Sequence, residues 1–279
     1  MKRIMSVLIS LVLFAAVPQI TGAFELDSRV FFVRDVFGTS HVPGETPEPG
    51  LNVEFRTEFS SVLSEQFRLR VQGERHTVTG NTLLARIHVT EGIFEFGVGA
   101  TMGILNSLGN PAVPGFTALL RTNIGSDSFL QAELIESLGA NGSSYGQVHL
   151  QGGIGVYNAL VTVFYDNRRS LSDDASPVRR TSNRYGALID VFKSGVPYGL
   201  EFVVAWRSES LVADGETDSL MGLHGGAGIS VQFTDAVRAG LSFDTDVFLI
   251  GTENLAGTAL NNTLHFRTGA FVTLTPQAP

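Results

Sequence analysis

No cysteine occurs in the 279 residues, which excludes disulfides, thiolate metal centres and lipid attachment through an N-terminal cysteine. Charge is scarce: Asp, Glu, Lys and Arg make up 16% of the chain, against about 25% in an average soluble domain. Beyond Ala23 no apolar run approaches the ~20 residues that a membrane-spanning helix needs. Yet mean hydropathy is positive, +0.18, so apolar residues are plentiful but dispersed. A wall that shows alternate residues to oil and to water has this composition. The 31 Gly, 20 Phe and 10 Pro suit short strands and turns better than helices.

The first residues read as an export leader. Lys2 and Arg3 are basic, residues 4–17 are almost wholly apolar, and Thr21, Gly22 and Ala23 put small residues before a cleavage point expected at Phe24. The apolar run is short for a spanning anchor. The expected organisation is therefore a signal peptide, 1–23, followed by one domain, 24–279. Losing Lys2 and Arg3 takes the net charge from −8 to −10, which argues against a nucleic-acid partner.

From Phe24 onward apolar and polar residues alternate with period two in about fourteen segments. In the clearest, Leu51, Val53, Phe55 and Phe59 oppose Asn52, Glu54, Arg56 and Glu58. Phe67, Leu69 and Val71 oppose Arg68, Arg70 and Gln72. Leu83, Ala85, Ile87 and Val89 oppose Arg86, His88 and Thr90, and Phe94, Phe96 and Val98 oppose Glu95, Gly97 and Gly99. Toward the C-terminus, residues 221–233 set His224, Gly226 and Gly228 on the polar side. Residues 237–244 set Arg238 and Asp244 there, and residues 264–274 set His265, Arg267 and Gly269 there. Segments 116–124, 129–138, 147–157, 184–192 and 198–207 alternate more weakly. In 24–37 and 160–168 both faces are apolar in part, and alternation does not assign a facing.

Connections alternate in length. Short ones fall near 60–64, 91–92, 125–127, 157–159, 193–197 and 234–236. Longer ones, rich in Gly, Pro, Ser, Asn and Asp, fall near 38–50, 75–81, 103–115, 139–146, 169–183, 208–219 and 250–262. A tilted strand crossing a membrane needs about 9–11 residues, and roughly fourteen of these with their connections consume the chain after Ala23. The expected fold is all-β: a closed antiparallel up-and-down transmembrane β-barrel of about fourteen strands (twelve if two weak hairpins merge), with short periplasmic turns and longer outer loops. Aromatics near expected strand ends (Phe59, Phe94, Tyr157, Tyr198 and Phe233 at one rim, Phe116 and Trp206 at the other) agree with interfacial girdles.

Period, connection lengths and leader together resemble the bacterial outer-membrane β-barrel superfamily, and in size the chain is similar to small monomeric porins of about fourteen strands. The resemblance covers the whole chain after the leader and is architectural, with no specific motif. It implies a monomer in outer-membrane lipid, inserted by the barrel-assembly machinery. Such proteins usually end on an aromatic residue that the machinery reads, whereas this chain runs past Phe271 and Leu274 to Pro279.

The candidate functional residues are those of the polar face, because a charge on the lipid side costs about 2–4 kcal/mol near the midplane. They are Glu54, Arg56, Glu58, Arg68, Arg70, Arg86, His88, Glu95, Arg121, Glu201, Arg207, Arg238, Asp244 and Arg267. Arg68, Arg70 and Arg86 should form a basic wall on neighbouring strands, with Glu54 and Glu58 on one flank and Glu95 beside His88 on the other. Such a wall either biases the passage of charged solutes or is a cross-strand ion-pair ladder that stiffens the barrel. Near the outer mouth, His224, Asp246 and His265 fall at similar depth, where imidazoles beside a carboxylate would make a pH gate. Unremarkable solvated histidines are the plainer reading. The expected activity is passive diffusion of small polar solutes through a mixed-charge lumen, with no metal and no cofactor. A carrier of hydrophobic, fatty-acid-type molecules and a surface adhesin or structural barrel stay open. Against the first, only Leu119, Leu188 and Val203 are expected to point inward as apolar groups. Catalysis has little support: His149, Ser143 and Ser144 share a rim without motif spacing. The glycine groups at 152–155 and 225–228 precede no helix, as a phosphate loop would require.

Overall fold

The computed structural model describes residues 24–35, 50–104, 112–125, 128–137, 143–172, 178–192, 197–213, 216–251 and 265–275. The expected leader, 1–23, and the longest expected outer loops lie outside them. Fourteen antiparallel strands close into one barrel. They are β1 (Phe24–Asp35), β2 (Gly50–Val62), β3 (Phe67–His76), β4 (Gly80–Glu91), β5 (Phe94–Ile104), β6 (Val113–Ile124) and β7 (Ser128–Ser137). The second half is β8 (Ser144–Val156), β9 (Ala159–Ser172), β10 (Val178–Phe192), β11 (Tyr198–Ala213), β12 (Glu216–Thr234), β13 (Val237–Gly251) and β14 (His265–Leu274). Each strand pairs with its sequence neighbours, and β1 closes the ring on β14 from Leu26↔Leu274 to Val33↔Arg267. Closure removes every sheet edge, which is what allows strands to cross a hydrocarbon layer with all backbone groups paired.

The period-two pattern sets the facing. Val98, Leu130, Val163, Phe202, Val204, Ile229 and Leu241 are among many large apolar side chains exposed on the outer wall, as lipid-facing residues must be. That wall ends in an aromatic row: Tyr165, Tyr185 and Trp206 are register partners on β9, β10 and β11. One step further out the same face becomes polar. Asn167 Nδ2 donates to Asn183 Oδ1 at 2.7 Å, and Asn183 Nδ2 donates to Ser208 Oγ at 3.3 Å. The switch from rings to amides marks the outer hydrocarbon boundary, where amphipathic aromatics settle. Tyr198, Phe233 and Tyr157 are exposed at the opposite rim.

The connections differ from expectation in one respect. The stretches 36–49, 105–112 and 252–264 are long, but β3 and β4 are joined by Thr77–Thr79 alone, and β11 and β12 by residues 214–215 alone. The strands run on beyond the boundary instead of ending in loops: polar residues past the aromatic row weaken the alternation signal, yet the ladder continues because backbone pairing does not depend on what the side chains face. Gly80, with φ of +77°, completes the three-residue β3–β4 turn in the left-handed region that glycine enters without steric cost.

Candidate functional site

Inward positions are fixed by register. Asp27, Arg29, Phe31 and Val33 of β1 meet Glu58, Arg56, Glu54 and Asn52 of β2. Arg68 and Arg70 of β3 meet His88 and Arg86 of β4. The basic wall therefore forms where the sequence places it, and its members are largely paired. Glu58 accepts from Arg56 at 2.8 Å and from Arg70 at 2.5 Å. His88 Nδ1 lies 2.6 Å from Glu95 Oε1. Arg121 donates to Asn123 at 3.0 Å and lies 4.3 Å over the Phe129 ring. Arg86 is the deepest cation, with only 1% of its surface exposed. Its Nη2 donates to Thr117 Oγ1 at 2.8 Å and is ion-paired with Glu133 of β7, while its Nε and Nη1 find no acceptor among the described residues. This flank has the geometry of a cross-strand ladder.

The outer cluster also assembles. His224 is the register partner of Asp246, and Asp246 that of His265, whose side chain lies outside the described groups. His224 Nδ1 is 2.9 Å from Asp246 Oδ1, and Asp246 is also ion-paired with Arg207. Arg207 in turn donates to Glu209 at 2.6 Å. His224, Glu209 and Asp246 are buried. Of the remaining expected residues, Arg238 donates to Ser230 at 2.9 and 2.7 Å. Glu201 and Asp244 line the lumen cavity described below, and Arg267 reaches Glu54 at 3.4 Å. Among the described residues no group of three or more His, Asp or Glu side chains is placed to hold a metal ion.

Pairing between β2 and β3 stops at Phe55↔Arg75, while β2 continues on β1 to Gly50. The β3–β4 tip thus peels away from the wall into the lumen, and Val78 is only 2% exposed. Glu54 pins it, accepting from the Thr77 amide and hydroxyl, each at 2.9 Å. The far wall grips it as well: Arg180 Nη1 donates to the Thr77 carbonyl at 3.2 Å, and Arg168 Nη1 donates to Glu74 Oε1 at 2.8 Å. In the ring order β3 stands opposite β10, so these contacts clasp the lumen across its width. Beside the clasp, Leu84, Val113, Ile135 and Tyr145 pack into a small internal core.

Below the clasp a cavity of about 440 Å³ runs toward the periplasmic rim. Its lining corrects the expectation that Leu119, Leu188 and Val203 are the only inward apolar groups. Phe31, Phe164 and Phe271 line it together with Leu188 and Val203. Phe31 and Phe271 lie over Gly269 and Gly240, where a Cβ would fall 2.2 and 2.5 Å from the rings, so these glycines provide the room. Phe31 and Phe164 belong to the two segments that alternation does not assign. An inward phenylalanine among outward valines removes the polar half of the pattern, and that loss was the available signal.

A closed fourteen-strand barrel with an apolar outer wall, aromatic boundary and charged lumen is a transmembrane barrel of the bacterial outer-membrane type. No protein-family model matches the chain, and no curated protein matches its sequence. Solved structures share its fold. A bacterial polysaccharide outer membrane secretin is 10% identical with a TM-score of 0.52, covering 93% of this chain and all of that one. An outer-membrane channel from Pseudomonas putida F1 is 10% identical with a TM-score of 0.52, covering 91% and 96%. The CymD monoaromatic hydrocarbon channel is 10% identical with a TM-score of 0.50, covering 95% and 92%. At such identity the likeness is one of fold.

Proposed function

We propose that the protein is an outer-membrane channel for passive diffusion of small solutes, opened and closed at the β3–β4 clasp. The observation that carries this reading is the cavity itself, enclosed by the barrel and lined by side chains of both charge signs. A purely structural barrel has no need of an internal cavity. Rings of charged side chains at a constriction select what passes. The barrel stands as a monomer in outer-membrane lipid, delivered by the assembly machinery; in support, every strand of the ring exposes large apolar side chains among the described residues. Cross-linking in native membranes that traps an oligomer would refute the monomer.

Discrete ion conductance in planar bilayers tests the channel; a silent, folded barrel would overturn it. Glu74→Gln loosens the grip of Arg168 on the β3 tip, and its conductance or open time is expected to rise severalfold over the unaltered protein. An unchanged current trace would mean that the clasp does not control passage.

The inward Phe31, Phe164, Phe271, Leu188 and Val203 favour a second reading, a channel for hydrophobic compounds, the role named for one of the structural neighbours. Liposome swelling with sugars against uptake of fatty acids or hydrocarbons separates the two.

A further inference from the structure

Arg184 is a half-buried lumen guanidinium left without an ion-pair partner among the described residues. Its register partner on β9 is a carboxylate, Asp166. Asp166, however, is turned away: Arg168 Nε lies 3.3 Å from its Oδ2, while Gln147 and His149 lie 3.2 and 3.4 Å from its Oδ1. The partner on β11 is Arg207, itself tied to Glu209 and Asp246. Among the described residues no carboxylate oxygen lies within 4.0 Å of Arg184. Its nearest polar contact is His224 Nε2 at 3.5 Å, and its Cζ stands 5.1 Å over the Phe164 ring. A half-buried cation with no direct ion pair is a receptor for an anion, and a guanidinium presents the planar fork that a carboxylate fits.

The wall beneath Arg184 carries an apolar patch. Leu188 and Val203 are register partners, Phe164 lies opposite Gly186, and Val203 lies opposite Gly226, over which the Asp244 carboxylate sits, a Cβ there falling 2.0 Å from its Oδ1. All of them except Gly186 and Gly226 line the cavity with Arg184. Apolar side chains facing a water-filled lumen forgo about 25 cal/mol for every Å² left wet, a cost that a ligand ring recovers by covering them. The lumen cavity that holds this apolar patch, about 440 Å³ and lined elsewhere by charged side chains of both signs, has the size of a small-molecule site. The acidic side chains Asp244, beside Val203, and Asp190 and Glu201, register partners one step nearer the periplasm, set the polarity: the anionic end points to Arg184 and away from them.

We propose that this lumen wall is a binding site for small aromatic monoanions, with the carboxylate on Arg184 and the ring over Phe164, Leu188 and Val203. The proposal rests on the channel reading for its physiological sense, but its test does not. Isothermal titration of the refolded full-length protein in detergent compares benzoate with acetate, which lacks the ring, and benzyl alcohol, which lacks the charge. Benzoate is expected to bind about tenfold more tightly than either. Arg184→Gln should weaken benzoate by about tenfold or more. Phe164→Ser should weaken benzoate while leaving acetate where it was. Equal binding of acetate, equal binding of benzyl alcohol, or no benzoate binding would each overturn the site, and these three comparisons need no variant to fold. Conductance in potassium chloride is read separately. A conducting barrel indifferent to benzoate sinks this proposal alone, while a silent barrel that binds benzoate sinks the channel and keeps the site.

Discussion

Arg86→Gln is expected to destabilise the barrel by about 3–5 kcal/mol, the cost of leaving a buried charge without its partner. Arg86 is almost wholly enclosed, and Glu133, on a strand three places round the ring, is its ion-pair partner. Glutamine can reach Thr117 but cannot neutralise Glu133. Gly97 adds a second reason for the site: a Cβ there would lie 2.6 Å from Arg86 Cδ, so the strand opposite is shaped around this side chain. Urea unfolding in lipid vesicles measures the loss. The double variant Arg86→Gln, Glu133→Gln should recover much of it, because the orphaned charge is then gone. If the single variant unfolds with the parent, Glu133 is hydrated and this flank of the lumen is wet rather than packed.

Placing arginine on the outer wall at Ala227 is expected to cost about 2–4 kcal/mol, whereas arginine at Ser219 on the same strand should cost about 0–1 kcal/mol. Ala227 is exposed on the outside of the barrel and pairs with Phe202, midway along β11 between Tyr198 and Trp206. Ser219 shares that face but lies beyond Leu223, the partner of Trp206, outside the aromatic boundary. The arginine removes no large apolar group at either position, so the difference reports depth in the hydrocarbon. Equal costs at the two positions would mean that the outer wall does not meet acyl chains, and the membrane assignment would go with it.

Strand number, closure and the facing of every strand but β1 and β9 were legible in the residues, because a pleated strand shows alternate side chains to opposite sides and two immiscible surroundings write that period directly into the sequence. The pairs Arg70 with Glu58 and His88 with Glu95 were equally accessible, since both follow from folding adjacent hairpins. His224 and Asp246 came within reach by the same route. Loop lengths were less legible: beyond the membrane boundary the wall is polar on both faces, alternation fades, and the strands of β9 to β12 read as loop where the ladder still holds.

Local order of this kind, one strand and its neighbours, is what the sequence by itself determined. The tertiary structure alone decided what meets across the lumen. Arg168 and Glu74 are 94 residues apart, and Arg180 and Thr77 are 103 apart, so nothing in their spacing announces the clasp. Arg184 is the sharper case. Its register pairs it with a carboxylate, and only the crowding of Arg168, Gln147 and His149 round Asp166 leaves the guanidinium without a direct ion pair. Such competition depends on how ring closure and strand stagger bring distant side chains to one level, a property of the whole barrel that no single strand encodes.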